Sequence, residues 1–418
     1  MKVVLLSVCA LLVFTMDVFA GGYQLNLFGI RQVGMAHVGT PMADDAANMA
    51  FNPGAIGFLS KNEIIGGSSL TFINTGYQAP APSTYEASTE ARVNFPFNAH
   101  GVWRHENSGF GAGVSVYTPY GSSVVWPEGW KNQFLLQEIS LQSVYVQPTV
   151  GYQVNDFIAI GAGLVYGYGM VNLQRSLPIA NTDGNYGRVE LDGSTSAIGY
   201  NLGVMINPAH NITIGAGYRS GLDMDVEGGD ADFRVASSLE ANFPQNNQFD
   251  ASLPLPAVFT MGVAVDVTQQ LRIAGQADFT EWSAYEELAF DFTENTPQLE
   301  DSREPRDYED TWIFRLATEY QLNDRMQLRA GTYYDMSPVQ DGYMTPETPD
   351  SDRVSVAAGF SSELTEQLSV NLSLIHIRSQ EREQTETDLE QAGTTGMMPV
   401  GTFQTYAWIP GISFSFSY

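Results

Sequence analysis

Along most of this chain apolar and polar residues alternate with a period of two, as in β-strands whose successive side chains face opposite ways. Between 156 and 175, Ile158, Ile160, Ala162, Leu164, Tyr166, Tyr168 and Met170 alternate with Ala159, Gly161, Gly163, Val165, Gly167 and Gly169. One face is greasy and the other nearly empty. In 310–322, Trp312, Phe314, Leu316 and Tyr320 alternate with Ile313, Arg315, Ala317 and Glu319, which sets an opposite-charge pair on the inner face. From Asn62 to Tyr418 the pattern predicts fourteen strands, near 62–74, 91–104, 109–118, 138–154, 156–175, 192–207, 210–226, 257–267, 270–282, 310–322, 325–335, 352–363, 366–378 and 405–418. Their connectors alternate long and short, the short ones being 105–108, 154–156, 207–210, 267–270, 322–325 and 363–366. An even-stranded antiparallel barrel in an outer membrane has this alternation of tight turns and long loops. The fold class expected is an all-β membrane protein, a 14-stranded antiparallel transmembrane β-barrel.

Composition agrees with this reading. Gly (40), Tyr (20) and Phe (23) are abundant and only 16% of residues are charged. No internal stretch approaches the roughly 18 uncharged apolar residues of a membrane helix. At the front, Met1-Lys2, an apolar run from Val3 to Met16 and Val18-Phe19-Ala20 predict a signal peptide over 1–20, with the mature chain beginning at Gly21. The single cysteine, Cys9, lies inside that leader, so the mature chain has neither disulfide nor thiolate chemistry. A soluble β-sandwich has the same strand period. The leader, the alternating connectors and aromatics placed as girdle residues (Tyr117, Trp126, Trp130, Trp282, Tyr334 and Trp408) favour the barrel.

The net charge of −28 excludes a nucleic-acid partner held by a basic surface. The acids fall mainly in predicted loops, among them Asp223, Asp225, Glu227, Asp230 and Asp232. Ordinary solvation of outer loops accounts for them, and cation bridging to lipopolysaccharide is the alternative; no ligand-spaced metal motif and no cofactor motif is visible. The final strand sets Trp408, Ile412, Phe414, Phe416 and Tyr418 against Ala407, Ser413, Ser415 and Ser417. A terminal aromatic after such alternation resembles the signal read by the barrel-assembly machinery, and outer-membrane lipid and lipopolysaccharide are the expected surroundings.

Residues 21–60 do not alternate. Gly29, Gly34, Ala36, Gly39, Ala43, Ala46 and Ala47 allow close packing, Asp44 or Asp45 suits a helix cap, and Asn52-Pro53-Gly54 is a turn and helix breaker. A barrel of this size has a lumen its own side chains cannot fill, so a partly helical plug over 21–60 is expected inside a barrel over 61–418.

This segment, from Gly22-Tyr-Gln-Leu-Asn26 through Ala43-Asp-Asp-Ala46 to Asn52-Pro53, resembles the N-terminal hatch of the FadL-type outer-membrane transporters of long-chain fatty acids and hydrophobic aromatic compounds. Further matches are Thr118–Gly121, Trp126–Phe134, Gly217-Tyr-Arg-Ser220, Thr280-Glu-Trp-Ser283, Ser337-Pro-Val339 and Pro349–Arg353. The resemblance implies passive uptake of a hydrophobic small molecule: capture in an outer loop groove, passage to an internal pocket, and sideways release into the membrane after the hatch shifts. Carried over residue by residue, Tyr23 reaches the pocket, Asn52, Pro53 and Gly54 form the hatch motif, and Gly113, Thr118, Pro119 and Gly121 mark the strand kink at the lateral opening. Gly203 is expected on the strand facing that opening. Arg175 matches a basic residue that meets a fatty acid carboxylate; the second basic contact has no clean counterpart in this sequence, and Arg303 or Arg306, in an otherwise acidic loop, is a candidate for it by loop reach alone. A rim ion pair is the equal alternative for Arg175. Phe95, Phe97, Trp126, Trp130, Phe134 and Leu135 are candidates for the outer groove or for the girdle. A general porin or surface adhesin is the alternative function. A lipid hydrolase is disfavoured, because the five histidines are scattered and no Gly-x-Ser-x-Gly elbow occurs, so no enzyme is expected.

Overall fold

The computed structural model describes residues 22–105, 108–180 and 185–418; the expected signal peptide, 1–20, lies outside the described residues. The staves are β1 (Glu63–Ser69 and Thr71–Gln78), β2 (Val93–Asn94 and Phe97–Arg104), β3 (Phe110–Tyr117 and Gly121–Val125), β4 (Glu138–Gln153), β5 (Ile158–Ala180), β6 (Tyr186–Ala209) and β7 (Ile212–Arg219 and Leu222–Arg234). They continue as β8 (Asn247–Leu255 and Val258–Asp266), β9 (Leu271–Thr280), β10 (Thr311–Asn323), β11 (Met326–Asp335), β12 (Arg353–Glu363), β13 (Leu368–Ser379) and β14 (Gly401–Ser417). Each pairs antiparallel with the next. The barrel closes through β1, where Glu63 lies opposite Val102 of β2 on one side and Ser417 of β14 on the other. β1 is interrupted at Leu70, opposite Pro410, which has no N–H to give the ladder.

The faces follow the sequence alternation. On β5, Ile160, Leu164, Tyr166, Tyr168 and Met170 point out, while Ala159 and Val165 are buried inside. On β14, Trp408, Ile412, Phe414, Phe416 and Tyr418 are exposed and Ser413 and Ser415 are buried. Arg315 and Glu319 both face the lumen, but each finds its own partner: Arg315 binds Asp278, and Glu319 binds Arg31 and Arg329.

Two expectations are corrected. The acids from Asp223 to Asp232 are not in a loop but on the outward face of β7, whose inward face carries Leu222, Met224, Val226, Ala231 and Phe233. β5 to β8 therefore run beyond the predicted ends as a tall wall. Of the proposed girdle, Trp408 is exposed, whereas Tyr117, Trp126, Trp130 and Trp282 are fully buried. They form an inner aromatic core rather than a membrane belt.

Residues 23–59 lie in the lumen with helices α1 (Ile30–Val33) and α2 (Asn48–Phe51) and a 3-10 turn, Pro53–Phe58. Small residues set how closely the segment approaches the wall. A Cβ on Gly34 would stand 2.8 Å from the Gly359 Cα of β12. The chain turns at Asn52, which ends α2 and whose Oδ1 accepts the Gly54 N–H at 2.9 Å, as the Asn-Pro-Gly reading requires. Asp45 does not cap α2 in the regular position, since Ala47 is the N-cap; its carboxylate accepts the Ala47 N–H just ahead.

Candidate functional site

The inner segment is anchored at the short-turn end by charge. Arg31 donates to both oxygens of Glu319 at 2.9 and 2.7 Å, and Arg272 to both oxygens of Asp44 at 2.8 and 3.0 Å. Arg329 donates to Glu319 at 2.6 Å. Burial opposes the Asp44 charge, yet Arg31 and Arg272 hold its carboxyl well below the usual range. At Asp45 burial prevails, helped by Glu63 and opposed by Arg31, and pushes the carboxyl up to about 6.

Higher up, Asn52 donates to the carbonyls of Thr40 and of Val204 on β6 at 3.1 and 3.0 Å. Gly203 sits directly beneath this contact: a Cβ there would lie 2.0 Å from Asn52 Oδ1 and 2.8 Å from Pro53. Gly54 is close on the same wall, where a Cβ would meet three oxygens at 3.1 Å. Gly203 thus faces the Asn-Pro-Gly turn. Gly113 likewise lies within the regular β2–β3 ladder, against Met49.

At β3 the ladder with β2 stops at Tyr117 opposite Asn98, and the strand breaks across Thr118, Pro119 and Tyr120 before resuming at Gly121. Here the segment's beginning takes over as a short strand. Leu25 N–H donates to Pro119 O at 2.8 Å, Gly121 N–H donates to Tyr23 O at 3.0 Å, and Gln24 lies opposite Tyr120. Gly22 N–H is tied to Asp350 in the β11–β12 loop at 2.6 Å.

Directly above lies an apolar cavity of about 80 Å³, with Tyr23, Val171, Met224, Phe249, Leu253 and Tyr285 in its walls. Tyr23 is held on several sides. Its ring packs edge-on to Trp282 at 4.8 Å and to Tyr285 at 5.9 Å, and its hydroxyl donates to Pro254 O at 2.9 Å. Tyr120, at 6.1 Å from Tyr23, donates to Pro256 O. Every buried hydroxyl named here has a partner, so the cavity's walls present carbon rather than unsatisfied donors.

The other sequence candidates sit apart from this cavity. Trp126 and Trp130 stack at 4.2 Å beneath the outer loops, with their N–H groups given to Pro346 and Leu136 carbonyls, so they are core rather than an open groove. Phe134 rests on Tyr186 and, with Leu135, is half-buried at the rim. Phe95 and Phe97 are exposed, Phe97 on the outward face of β2. Arg175 donates to Glu304 at 3.1 Å, Glu304 also accepts from Arg306 at 3.1 Å, and Arg306 donates to Glu347 at 2.6 Å. Arg303 is exposed and paired with Glu287. The alternative of a rim ion-pair network is thus the arrangement Arg175 adopts. Sequence reading missed Met224, Val226, Phe249 and Leu253, which their alternation with Asp223, Asp225, Asp250 and Ser252 signals.

A lumen closed by an inserted N-terminal segment, with a wall strand broken beside it, is the arrangement the comparisons now place. A family model described as outer membrane protein transport protein (OMPP1/FadL/TodX) matches residues 11–418. The chain belongs to this family. The FadL-type chain is 24% identical over 456 residues to the long-chain fatty acid transport protein of Escherichia coli O6:H1, covering 99% of this chain and 98% of that one. It is 21% identical to outer membrane protein P1 of Haemophilus influenzae, covering 98% and 99%. In fold it is similar to a Pseudomonas aeruginosa FadL homologue, at TM-score 0.81 and 17% identity over 94% of this chain and 99% of that one. The Ralstonia pickettii toluene transporter TbuX follows at TM-score 0.70 and 18% identity, over 94% and 99%. The FadL-type barrel accordingly sits in the outer membrane and belongs to a family of hydrophobic-substrate transporters, not of enzymes.

Proposed function

We propose that this protein admits hydrophobic molecules, long-chain fatty acids or aromatic and aliphatic hydrocarbons, passively across the outer membrane. A molecule meets Phe134 and Leu135 at the rim, enters the cavity beside Tyr23, and leaves sideways at Thr118–Gly121 when residues 22–28 withdraw. The relatives named for long-chain fatty acid and toluene transport support this class of cargo. The observation that carries it is the pairing of Tyr23–Leu25 onto the broken edge of β3, because one short strand both walls the cavity and covers the gap. Sideways release is the favourable course for greasy cargo, since each methylene exposed to water costs about 0.8 kcal/mol.

Gln24 and Tyr120 form a non-hydrogen-bonded antiparallel pair, a spacing suited to a disulfide, and the expected mature chain has no other cysteine. In the double variant Gln24→Cys, Tyr120→Cys, uptake of radiolabelled oleate and toluene by expressing cells is expected to drop to the background of cells lacking the protein. Reductant restores it. Full uptake with the bridge demonstrably closed would mean that this segment need not move.

A further inference from the structure

Below Tyr120 lies a second, smaller and more polar cavity of about 30 Å³, bounded by Gln24, Asn26, Phe28, Thr260 and Arg219. Arg219, at the last paired position of the lower half of β7, is only 8% exposed. Among the described residues no carboxylate stands within ion-pair distance of it, and its Nε has no hydrogen-bond acceptor. Its guanidinium carbon lies 5.9 Å from the ring centres of both Phe28 and Tyr120. The one acid on the same cavity, Asp278, is committed elsewhere: one oxygen accepts from Arg315 Nε at 2.7 Å and the other from Gln276 at 2.7 Å. In a chain with 47 acidic residues, a buried cation facing a cavity without a counter-ion is an anion site in waiting, because ring faces and the neutral Tyr117 and Tyr120 hydroxyls that the guanidinium also meets offset only part of the cost of burying a charge.

We propose that Arg219 is the carboxylate-binding subsite of the uptake route, taking the acid group of an amphipathic organic acid whose apolar tail runs past Tyr120 into the cavity at Tyr23. This rests on the uptake reading above and narrows it to cargo with an anionic head. Gln24, Asn26 and Phe28 belong to the same segment as Tyr23, so the shift that uncovers the gap beside β3 also reshapes the Arg219 cavity. The arginine seen first in the sequence, Arg175, is neutralised by Glu304 and is not this subsite.

The test is calorimetric titration of the full chain in detergent at pH 8 with dodecanoate and with dodecanol, which share a tail and differ in head. The wild type is expected to bind dodecanoate about tenfold or more tightly than dodecanol, the scale of a charge-assisted hydrogen bond. Arg219→Gln loses that preference with dodecanol unchanged, Arg219→Lys keeps part of it, and Arg175→Ala keeps all of it. Dodecanol binding without any wild-type preference for dodecanoate, or a preference that survives Arg219→Gln, overturns the subsite while leaving the uptake reading intact. Binding of neither ligand overturns both. Folding of each variant is checked by heat-modifiable gel mobility, and if Arg219→Gln fails to fold, the wild-type preference and Arg219→Lys decide.

Discussion

Gly203 shows what a single residue can and cannot disclose. From the sequence it is a small residue on an inner face, and family resemblance assigns it to the lateral opening; only the packing places Asn52 and Pro53 against it. Gly203→Glu is therefore expected to lift the Asn-Pro-Gly turn off β6 rather than to block an exit. The overpacking costs about 1–3 kcal/mol locally, and hydrogen exchange at residues 48–54 quickens while the barrel keeps its heat-modifiable mobility. Unchanged exchange there would show that the turn does not bear on Gly203. Arg175 and Arg219 make the complementary point. A basic residue is visible in the sequence, but whether its charge is free depends on residues as remote as Glu304, brought to Arg175 by a loop between β9 and β10.

Strands were legible wherever one face met lipid and the other the lumen, since this fixes a period of two. Their ends were not. The upper part of β7 keeps that period with acids outside and apolar residues inside, a pattern that a high charge density disguises as a solvated loop. The inner segment was legible as small and non-alternating, but its ion network joins Arg31 and Asp44 to three different staves and leaves no local sequence mark. That network sets a pH dependence. Asp45, facing Arg31, Glu63 and Asp44, has a carboxyl raised by burial to about 6, above its ordinary value, so the seated segment holds a proton that a displaced one releases. This contribution to seating is complete below about pH 4 and is lost as pH rises through 6. Asp44, depressed, acts in the opposite sense, and its contribution fails only below the usual carboxylate range. Between about pH 7.5 and 5 His37, on the same segment and held by burial well below its ordinary value, works against Asp45, because a displaced segment takes up a proton there. The Asp45 contribution is therefore read as a difference: on acidification, exchange protection of residues 44–52, corrected for intrinsic rates, is expected to change more favourably in the wild type than in Asp45→Asn. The same pH course in both proteins would remove Asp45 from the seating equilibrium.

At the scale of the whole barrel, the closed wall is interrupted on both sides of one four-strand panel. Gly121 of β3, Gln142 of β4, Met170 of β5 and Ser194 of β6 share a single row of the sheet. On the β3 side the missing partner is replaced by Tyr23–Leu25. On the β6 side the lower ladder with β7 ends at Asn201 opposite Arg219, with Tyr200 still joined to Ser220, and the upper ladder begins only at Asp192 opposite Asp230. Between them β7 steps inward, its Leu222, Met224 and Val226 lying over Gly167, Gly169, Gly193 and Gly199 of β5 and β6. The tiny inner face read from the sequence of β5 is thus filled by a neighbouring strand, which is why β5 carries glycines there and why β7 cannot also complete the ladder. In hydrocarbon an unpaired peptide group costs several kcal/mol, so this edge requires water, and the exposed Ser194 and Ser196 beside it suit such a setting. In detergent, amides over 193–199 are expected to exchange much faster than those over 201–206, in spite of continuous pairing of both stretches with β5. Equal protection would mean that β7 closes the ladder in solution and that the panel has only the one open flank, beside Tyr23.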